Sequence, residues 1–299
     1  MEIQEYKSCN LCHRKCGVDR YTGVGFCMMP ADAFVTRAAL HQWEEPPISG
    51  KRGSGTIFFS GCSLRCIFCQ NKEISAGPLG ERISIEKLSD IMLSLQRQGA
   101  HNINFVTPTH YAPTIRLATE LSRAQGLRIP IVYNTGSFDT RETIQSLRGI
   151  VNVYLPDLKY YKSSTSKKYS KAENYVENAR SAIAEMYNQV GAPAFDEGGL
   201  MLSGVIVRIL LLPGHLAEAK LSLKYLVDTY GDSIYVSLMN QYTPMSDMPQ
   251  PLNRRVTHAE YDELLSYAEK IGLKNGFYQD FGTAEESFIP PFDGTGVLE

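Results

Sequence analysis

The chain has 299 residues, a formal net charge of −2, 43% hydrophobic residues and 21% charged residues. This is the composition of a soluble globular protein long enough to bury a full core. The near balance of charge excludes a general attraction to nucleic acid or to an anionic membrane surface. No run reaches the roughly twenty apolar residues of a membrane-spanning helix, and Met1 to Glu5 has neither the basic start nor the apolar core of a secretory signal. We therefore expect a cytoplasmic protein with no nucleic-acid partner and no membrane partner.

All 7 cysteines lie between Cys9 and Cys69. An odd count at one end, without a secretion signal, argues against a disulfide framework and for thiols kept reduced for metal. Such sites call for a compartment low in oxygen. The first group is Cys9, Cys12, Cys16 and Cys27, spaced C-x2-C-x3-C-x10-C, with Gly17, Gly23 and Gly25 where the backbone must turn around a metal. Four thiolates close a complete site for zinc or for an auxiliary iron–sulfur cluster, and the spacing suits both. His13 lies inside this loop and reads as a solvent-facing side chain.

Residues 34–55 read as a connector, with Pro46-Pro47 and a glycine-rich run from Gly50 to Gly55. The run is no phosphate loop: the Gly-x4-Gly-Lys-Ser/Thr order is missing, and a strand follows instead of a helix. Residues 1–50 are thus expected as a cysteine-rich metal-binding extension with its linker, and residues 51–299 as the main domain with a C-terminal cap.

Thr56–Phe59 predicts a strand that delivers the chain into Cys62, Cys66 and Cys69 at C-x3-C-x2-C spacing. Thiolates are soft ligands that suit zinc, Cu(I) or iron–sulfur clusters. A [4Fe–4S] cluster takes four cysteines, so three leave one iron open for chemistry. From there strands and helices alternate. Ser84 caps a helix with Ile85, Leu88, Ile91, Met92 and Leu95 on one face, ended by Gly99. A strand at 102–106 precedes a helix at 113–125, a strand at 129–133 a helix at 140–147, and a strand at 151–155 one long helix at 166–190. The strand at 205–212 precedes a helix at 216–230. The strand at 234–239 precedes a helix opened by a Thr257–Glu260 capping box, with Tyr261, Leu264, Leu265 and Ala268 inward. Six β-then-α units predict an α/β fold with a parallel sheet and helices outside. The tail from Phe277 is expected as an irregular cap.

In parallel barrels the functional groups sit at the C-terminal strand ends. Those ends hold the cysteine triplet, Thr107 to Tyr111, Asn134 with Thr135, Asp157 with Lys159, His215, and Asn240 to Tyr242. Asp157 and Lys159 are two apart and face one side. Arg208 interrupts an apolar strand, where a charge needs a partner, so it points inward towards Asp157 or a ligand. His110 and His215 read as loop histidines with local hydrogen bonds or a ligand contact. Tyr111, Tyr133, Tyr160 and Tyr242 read as packing residues near the strand ends.

The triplet, with Phe68 just before its third cysteine, resembles the signature of the radical SAM superfamily. From Cys9 to about Gly296 the chain also resembles its pyruvate formate-lyase activating enzyme-like members. The four-cysteine leader, Gly53 to Cys62, Cys69-Gln70-Asn71, Val106 to Tyr111, Tyr133 to Gly136, Pro156 to Tyr160, Val207 to Gly214 and Ser237 to Tyr242 carry that resemblance. It implies a partial (β/α)6 barrel, a [4Fe–4S] cluster on Cys62, Cys66 and Cys69, and S-adenosylmethionine (SAM) on the open iron. Cleavage of SAM would give a 5′-deoxyadenosyl radical for hydrogen abstraction. SAM would be held by Asp157, Lys159 and Arg208, with Lys159 and Arg208 as the catalytic candidates. The backbone at Phe68 would meet the adenine, and Thr107, Asn134 and Thr135 would line the cofactor. The implied partners are a reduced flavodoxin or ferredoxin-type electron donor and a separate glycyl-radical enzyme as protein substrate. A small molecule or peptide is the alternative substrate. A non-enzymatic metal sensor would leave the triplet and the polar strand ends without a use. The chain departs from the superfamily where a Gly-Gly-Glu stretch contacts the SAM amino group: it has Thr107-Pro108-Thr109. Its four-cysteine group also precedes the triplet, whereas many activases carry extra clusters after it.

Overall fold

The structure, a computed structural model, describes residues 2–280 and 290–298. The six expected strands form and lie side by side: β2 (Ser54–Phe59), β4 (Ile103–Val106), β5 (Ile131–Thr135), β6 (Val153–Pro156), β8 (Met201–Leu210) and β9 (Tyr235–Met239). Every neighbouring pair among them is parallel. Four further strands extend or border this set: β1 (Ala33–His41), β3 (Glu81–Ile83), β7 (Ala194–Phe195) and β10 (Gly276–Tyr278). The sheet order is β10-β9-β8-β6-β5-β4-β2-β1-β3, and β7 pairs only with β8. Among the described residues the two edges do not pair with each other, so the parallel sheet is a partly open barrel.

Between the strands lie α3 (Lys72–Ser75), α4 (Ile85–Arg97), α5 (Ala112–Ala124), α6 (Arg141–Ser146), α7 (Ser163–Ser170), α8 (Tyr175–Val190), α9 (Leu216–Tyr230) and α10 (His258–Lys270); α1 (Gln4–Lys7) and α2 (Pro46–Ser49) precede them. The expected caps hold. Ser84 accepts from the Lys87 N–H, and Thr257 forms the full capping box with Glu260; the structure adds a third cap, Thr140 accepting from the Thr143 N–H.

Strand alternation sorts the side chains into two layers. Ile57, Phe59, Ile103, Phe105, Ile131, Tyr133, Val205, Val207 and Leu238 are buried outward in one core with Leu88, Ile115, Ile183, Leu223 and Leu264 of the helices. Val132, Val153, Leu155 and Ile206 point inward, where Ile48 of α2 packs on them as an apolar floor. Above this floor the inward positions turn polar, and the site begins there.

Three expectations are corrected. The stretch read as a connector contains β1, nine residues paired antiparallel with both β2 and β3. Its Val and Phe residues were outweighed by the nearby Pro-Pro and glycines, which belong to α2 and the turn after it. The expected single helix at 166–190 is two, α7 and α8, because Lys171 and Asn174 adopt left-handed backbone (φ 50° and 53°). The tail is not wholly irregular: β10 extends the sheet, while Gly294 and Thr295 hydrogen-bond to Thr36 and Ala38 of β1. The rest of that tail, 281–289, lies outside the described residues.

Candidate active site

Strand β2 ends at Phe59, and Gly61 turns the chain with φ 82°. A Cβ there would lie 2.1 Å from Met29 Cγ and 2.7 Å from the Cys27 carbonyl, so only glycine fits between strand and extension. Cys62, Cys66 and Cys69 then line one cavity of about 490 Å³ at the C-terminal ends of the strands. Donors stand at the sulfurs: Leu64 N–H to Cys62 Sγ at 3.3 Å, and Ser170 Oγ to Cys66 Sγ at 2.9 Å. Burial pushes the Cys62 thiol up, and that of Cys69 up to about 12; the neighbouring sulfurs add to both shifts and Lys159 opposes them. A bound cationic metal centre reverses that preference.

The same cavity holds a charged network within electrostatic reach of the sulfurs. Asp157 accepts from Lys159 Nζ at 2.6 Å and from Arg208 Nε at 2.8 Å. Arg208 Nη2 donates to Asn134 Oδ1 at 2.5 Å, and Nη1 lies 3.5 Å from Glu44 Oε2. Burial alone would raise the Asp157 carboxyl, but Arg208 and Lys159 hold it below its usual range. Burial would lower the cations, yet Asp157, with Glu45 and Glu44, raises Arg208, and Asp157 raises Lys159.

Most of the sequence candidates converge here. Phe68, Thr107, Asn134, Thr135, Asp157, Lys159 and Arg208 all line the same cavity as the three cysteines. The Phe68 ring stands edge-on to Tyr160, Tyr169 and Tyr242. Thr107 has a left-handed backbone (φ 58°) and bonds to the Asn134 carbonyl. The Thr135 hydroxyl turns away from the cavity to Asp139 at 2.6 Å, as strand alternation after Asn134 requires. His110 and His215 are outside the cavity: His110 bonds to the Ser60 carbonyl behind the loop, and His215 to Tyr169 and Glu218. Of the four tyrosines Tyr242 lines the cavity, while Tyr111 and Tyr133 bond to Asp32 and Asp139.

Glu44 and Glu45 were missed. They follow β1 in the stretch read as connector, and α2 carries them into the barrel, where both line the cavity. Glu44 accepts from Asn104 Nδ2 at 2.9 Å. Burial pushes both carboxyls up, and Arg208 opposes it. The adjacent Glu-Glu-Pro-Pro offered a cue, because a helix opening on proline fixes the direction of the residues before it.

The first cysteine group sits elsewhere. Cys9, Cys16 and Cys27 are within electrostatic reach of Cys12, and burial is the main cause that raises the Cys12 thiol. Cys9 and Cys27 are buried and Cys16 exposed. Among the described residues, no three His, Cys, Asp or Glu side chains are gathered as a single metal ion requires. Three sulfurs around one cavity, with N–H and O–H donors on them, suit a larger iron–sulfur cluster, whose potential such donors tune.

The radical SAM superfamily model matches residues 56–218, and the chain belongs to that superfamily. An uncharacterized protein of Methanocaldococcus jannaschii is 29% identical over 281 residues, covering 90% of this chain and 76% of that protein. The FeFe-hydrogenase maturase HydG of Carboxydothermus hydrogenoformans superposes with a TM-score of 0.51 at 14% identity, over 79% of this chain and 55% of HydG. A domain of pyruvate-formate lyase-activating enzyme from Bacteroides vulgatus aligns more loosely, with a TM-score of 0.39 at 18% identity, over 58% of this chain and 91% of that domain. The chain thus spans little more than half of HydG, and the likeness is one of fold.

Proposed function

We propose that the chain is a cytoplasmic radical SAM enzyme whose catalytic [4Fe–4S] cluster is held by Cys62, Cys66 and Cys69. When bound, such a cluster supplies one electron to the sulfonium of SAM, giving methionine and a 5′-deoxyadenosyl radical that abstracts a substrate hydrogen. The observation that carries this reading is the shared cavity: three thiols, and Asp157, Lys159, Arg208 and Asn134 bonded together, all line it. Asp157 fixes the two cations, so Lys159 and Arg208 are preset for an anionic group such as the SAM carboxylate. Phe68, packed among three tyrosines, holds the loop backbone still for the adenine. Thr107, Asn134 and Thr135 complete the wall, and the apolar floor under Arg208 keeps water from entering behind it.

The electron donor in this reading is a reduced flavodoxin or ferredoxin-type protein. In this reading Cys9, Cys12, Cys16 and Cys27, which are not gathered around one point here, would draw together on loading to hold a second metal site, an auxiliary iron–sulfur cluster or zinc. For the substrate, glycyl-radical activation follows from the resemblance of the motifs. The modification of a small molecule or peptide is favoured by a separate observation, the carboxylates at the base of the cavity. Anaerobically reconstituted protein with reductant should convert SAM to 5′-deoxyadenosine. No turnover by protein with a full complement of iron would overturn the reading. Added glycyl-radical enzyme that acquires no radical signal, while SAM is cleaved, would exclude activation.

A further inference from the structure

Glu44 and Glu45 are given no role there in holding the cluster or SAM, and their surroundings are not balanced. Around the guanidinium of Arg208 lie Asp157, Glu44 and Glu45, and the second cation, Lys159, is spent on Asp157. With all groups ionised, the cavity base carries one more negative charge than positive. Among the described residues two buried acceptors beside these groups are unpartnered, one on a residue that lines the cavity and one just behind it. One is Oε2 of Glu45, a residue 9% exposed, and the other is Oδ1 of the fully buried Asn104, whose amide already donates to Glu44. A buried acceptor without a donor is costly, and a buried carboxylate more so. Ser237 on β9 satisfies only part of Glu45.

We propose that Glu44 and Glu45 form a binding site for an organic ammonium group at the base of the cavity. An ammonium presents donors and no acceptor, and it cancels the surplus charge. Glu44 is tied down by Asn104 and Arg208, so it orients the site, and Glu45 keeps the open oxygen. The inference rests on the radical SAM reading and deepens it. The ammonium belongs to SAM, whose amino group has no Gly-Gly-Glu stretch to meet in this chain, or to the substrate.

The test uses cluster-loaded full-length protein and measures binding. SAM affinity is read by equilibrium dialysis, and n-butylamine against n-butanol by saturation-transfer NMR, for the native chain and for Glu45→Gln. One lost charged hydrogen bond should weaken the ammonium ligand about tenfold. If SAM weakens in Glu45→Gln and n-butylamine displaces SAM from the native protein, the occupant is the cofactor's ammonium. If SAM affinity is unchanged, and the native, SAM-loaded protein binds n-butylamine in preference to n-butanol while Glu45→Gln does not, the occupant is a substrate amine. Equal binding of n-butylamine and n-butanol to the native protein, with SAM affinity untouched by Glu45→Gln, overturns the site. The n-butylamine arms on the native protein stand even if the variant fails to fold. Iron-loaded native protein that does not bind SAM defeats the underlying reading instead, and n-butylamine binding without SAM still reports on the carboxylates.

Discussion

The chain contains two cysteine groups built from the same ligand, and they are placed in opposite settings. Cys62, Cys66 and Cys69 leave the end of a parallel strand and open onto a cavity, facing Lys159 and Arg208. Cys9, Cys12, Cys16 and Cys27 line no part of that cavity among the described residues. They are packed against loops outside the strand ends, with Leu11 bonded to Thr140, and Arg20 buried between Tyr6 and Tyr111. The difference teaches that thiol number does not assign reactivity. Access and a charged wall opposite do, because the group that reacts needs room for a second molecule and something to hold it.

The sharpest way to break this comparison is to remove one sulfur from each group. Cys62→Ala should abolish conversion of SAM to 5′-deoxyadenosine and remove one cluster's worth of iron. Cys9→Ala should lower only the second metal, iron or zinc, and leave the triplet's signal in place. Metal counts and electron paramagnetic resonance on the two variants check this. Loss of SAM cleavage in both to the same degree would mean that the two groups act as one site.

The charged wall is next. Arg208 is buried among Asp157, Glu44 and Asn134, and truncating it leaves carboxylates without their counter-ion. Removing one partner of such a buried network costs about 3–5 kcal/mol. Arg208→Ala should lose that much in urea unfolding, and Arg208→Lys should regain part of it. An unchanged midpoint for Arg208→Ala would show that the wall is solvated and not a preset holder.

Much of this was legible in the sequence, for identifiable reasons. The parallel sheet followed from short apolar runs alternating with helices, and capping signals such as Ser84 and Thr257 are local chemistry. The strand-end rule, with a charge inside the apolar strand at Arg208, brought the cavity residues together. What was not legible depended on distant contacts. The strand β1 is defined by its pairing with β2 and β3, and nothing local separates it from a loop beside Pro46 and Pro47. The break between α7 and α8 rests on two left-handed residues, Lys171 and Asn174, neither of them a glycine. Glu44 and Glu45 gave no signal of their own within the stretch read as a connector, because only the barrel above α2 buries them.

The two groups are joined by one side chain. Arg14, between Cys12 and Cys16, stacks on Phe26 at 3.7 Å and donates to the Ser63 carbonyl at 2.8 Å and the Ser170 carbonyl at 2.8 Å. Further bonds reach Leu64 and Lys171. It therefore clamps the triplet's loop from the extension. Arg14→Ala should cost about 1–3 kcal/mol, the range for charged hydrogen bonds of which part is exposed. Its more telling readout is oxygen: the triplet's cluster should bleach faster in air while the metal count of the first group stays the same. Equal bleaching would show that the groups share a surface without supporting each other.

The smallest expected effect isolates a single atom. Ser170 closes α7 and donates to Cys66 Sγ at 2.9 Å, while Tyr160 bonds to the same hydroxyl. A hydrogen bond to a ligating sulfur stabilises the reduced, more negative state of a cluster, so it raises the reduction potential. Ser170→Ala should keep the iron count and the fold, and shift the triplet's midpoint potential downward in an anaerobic titration followed by electron paramagnetic resonance. The first group has a backbone counterpart, the Phe26 N–H on Cys16 Sγ at 3.4 Å, which no side-chain change removes. A shift confined to the triplet would separate the two sites by potential as well as by place, and an unchanged potential would mean that the Ser170 hydroxyl serves Tyr160 alone.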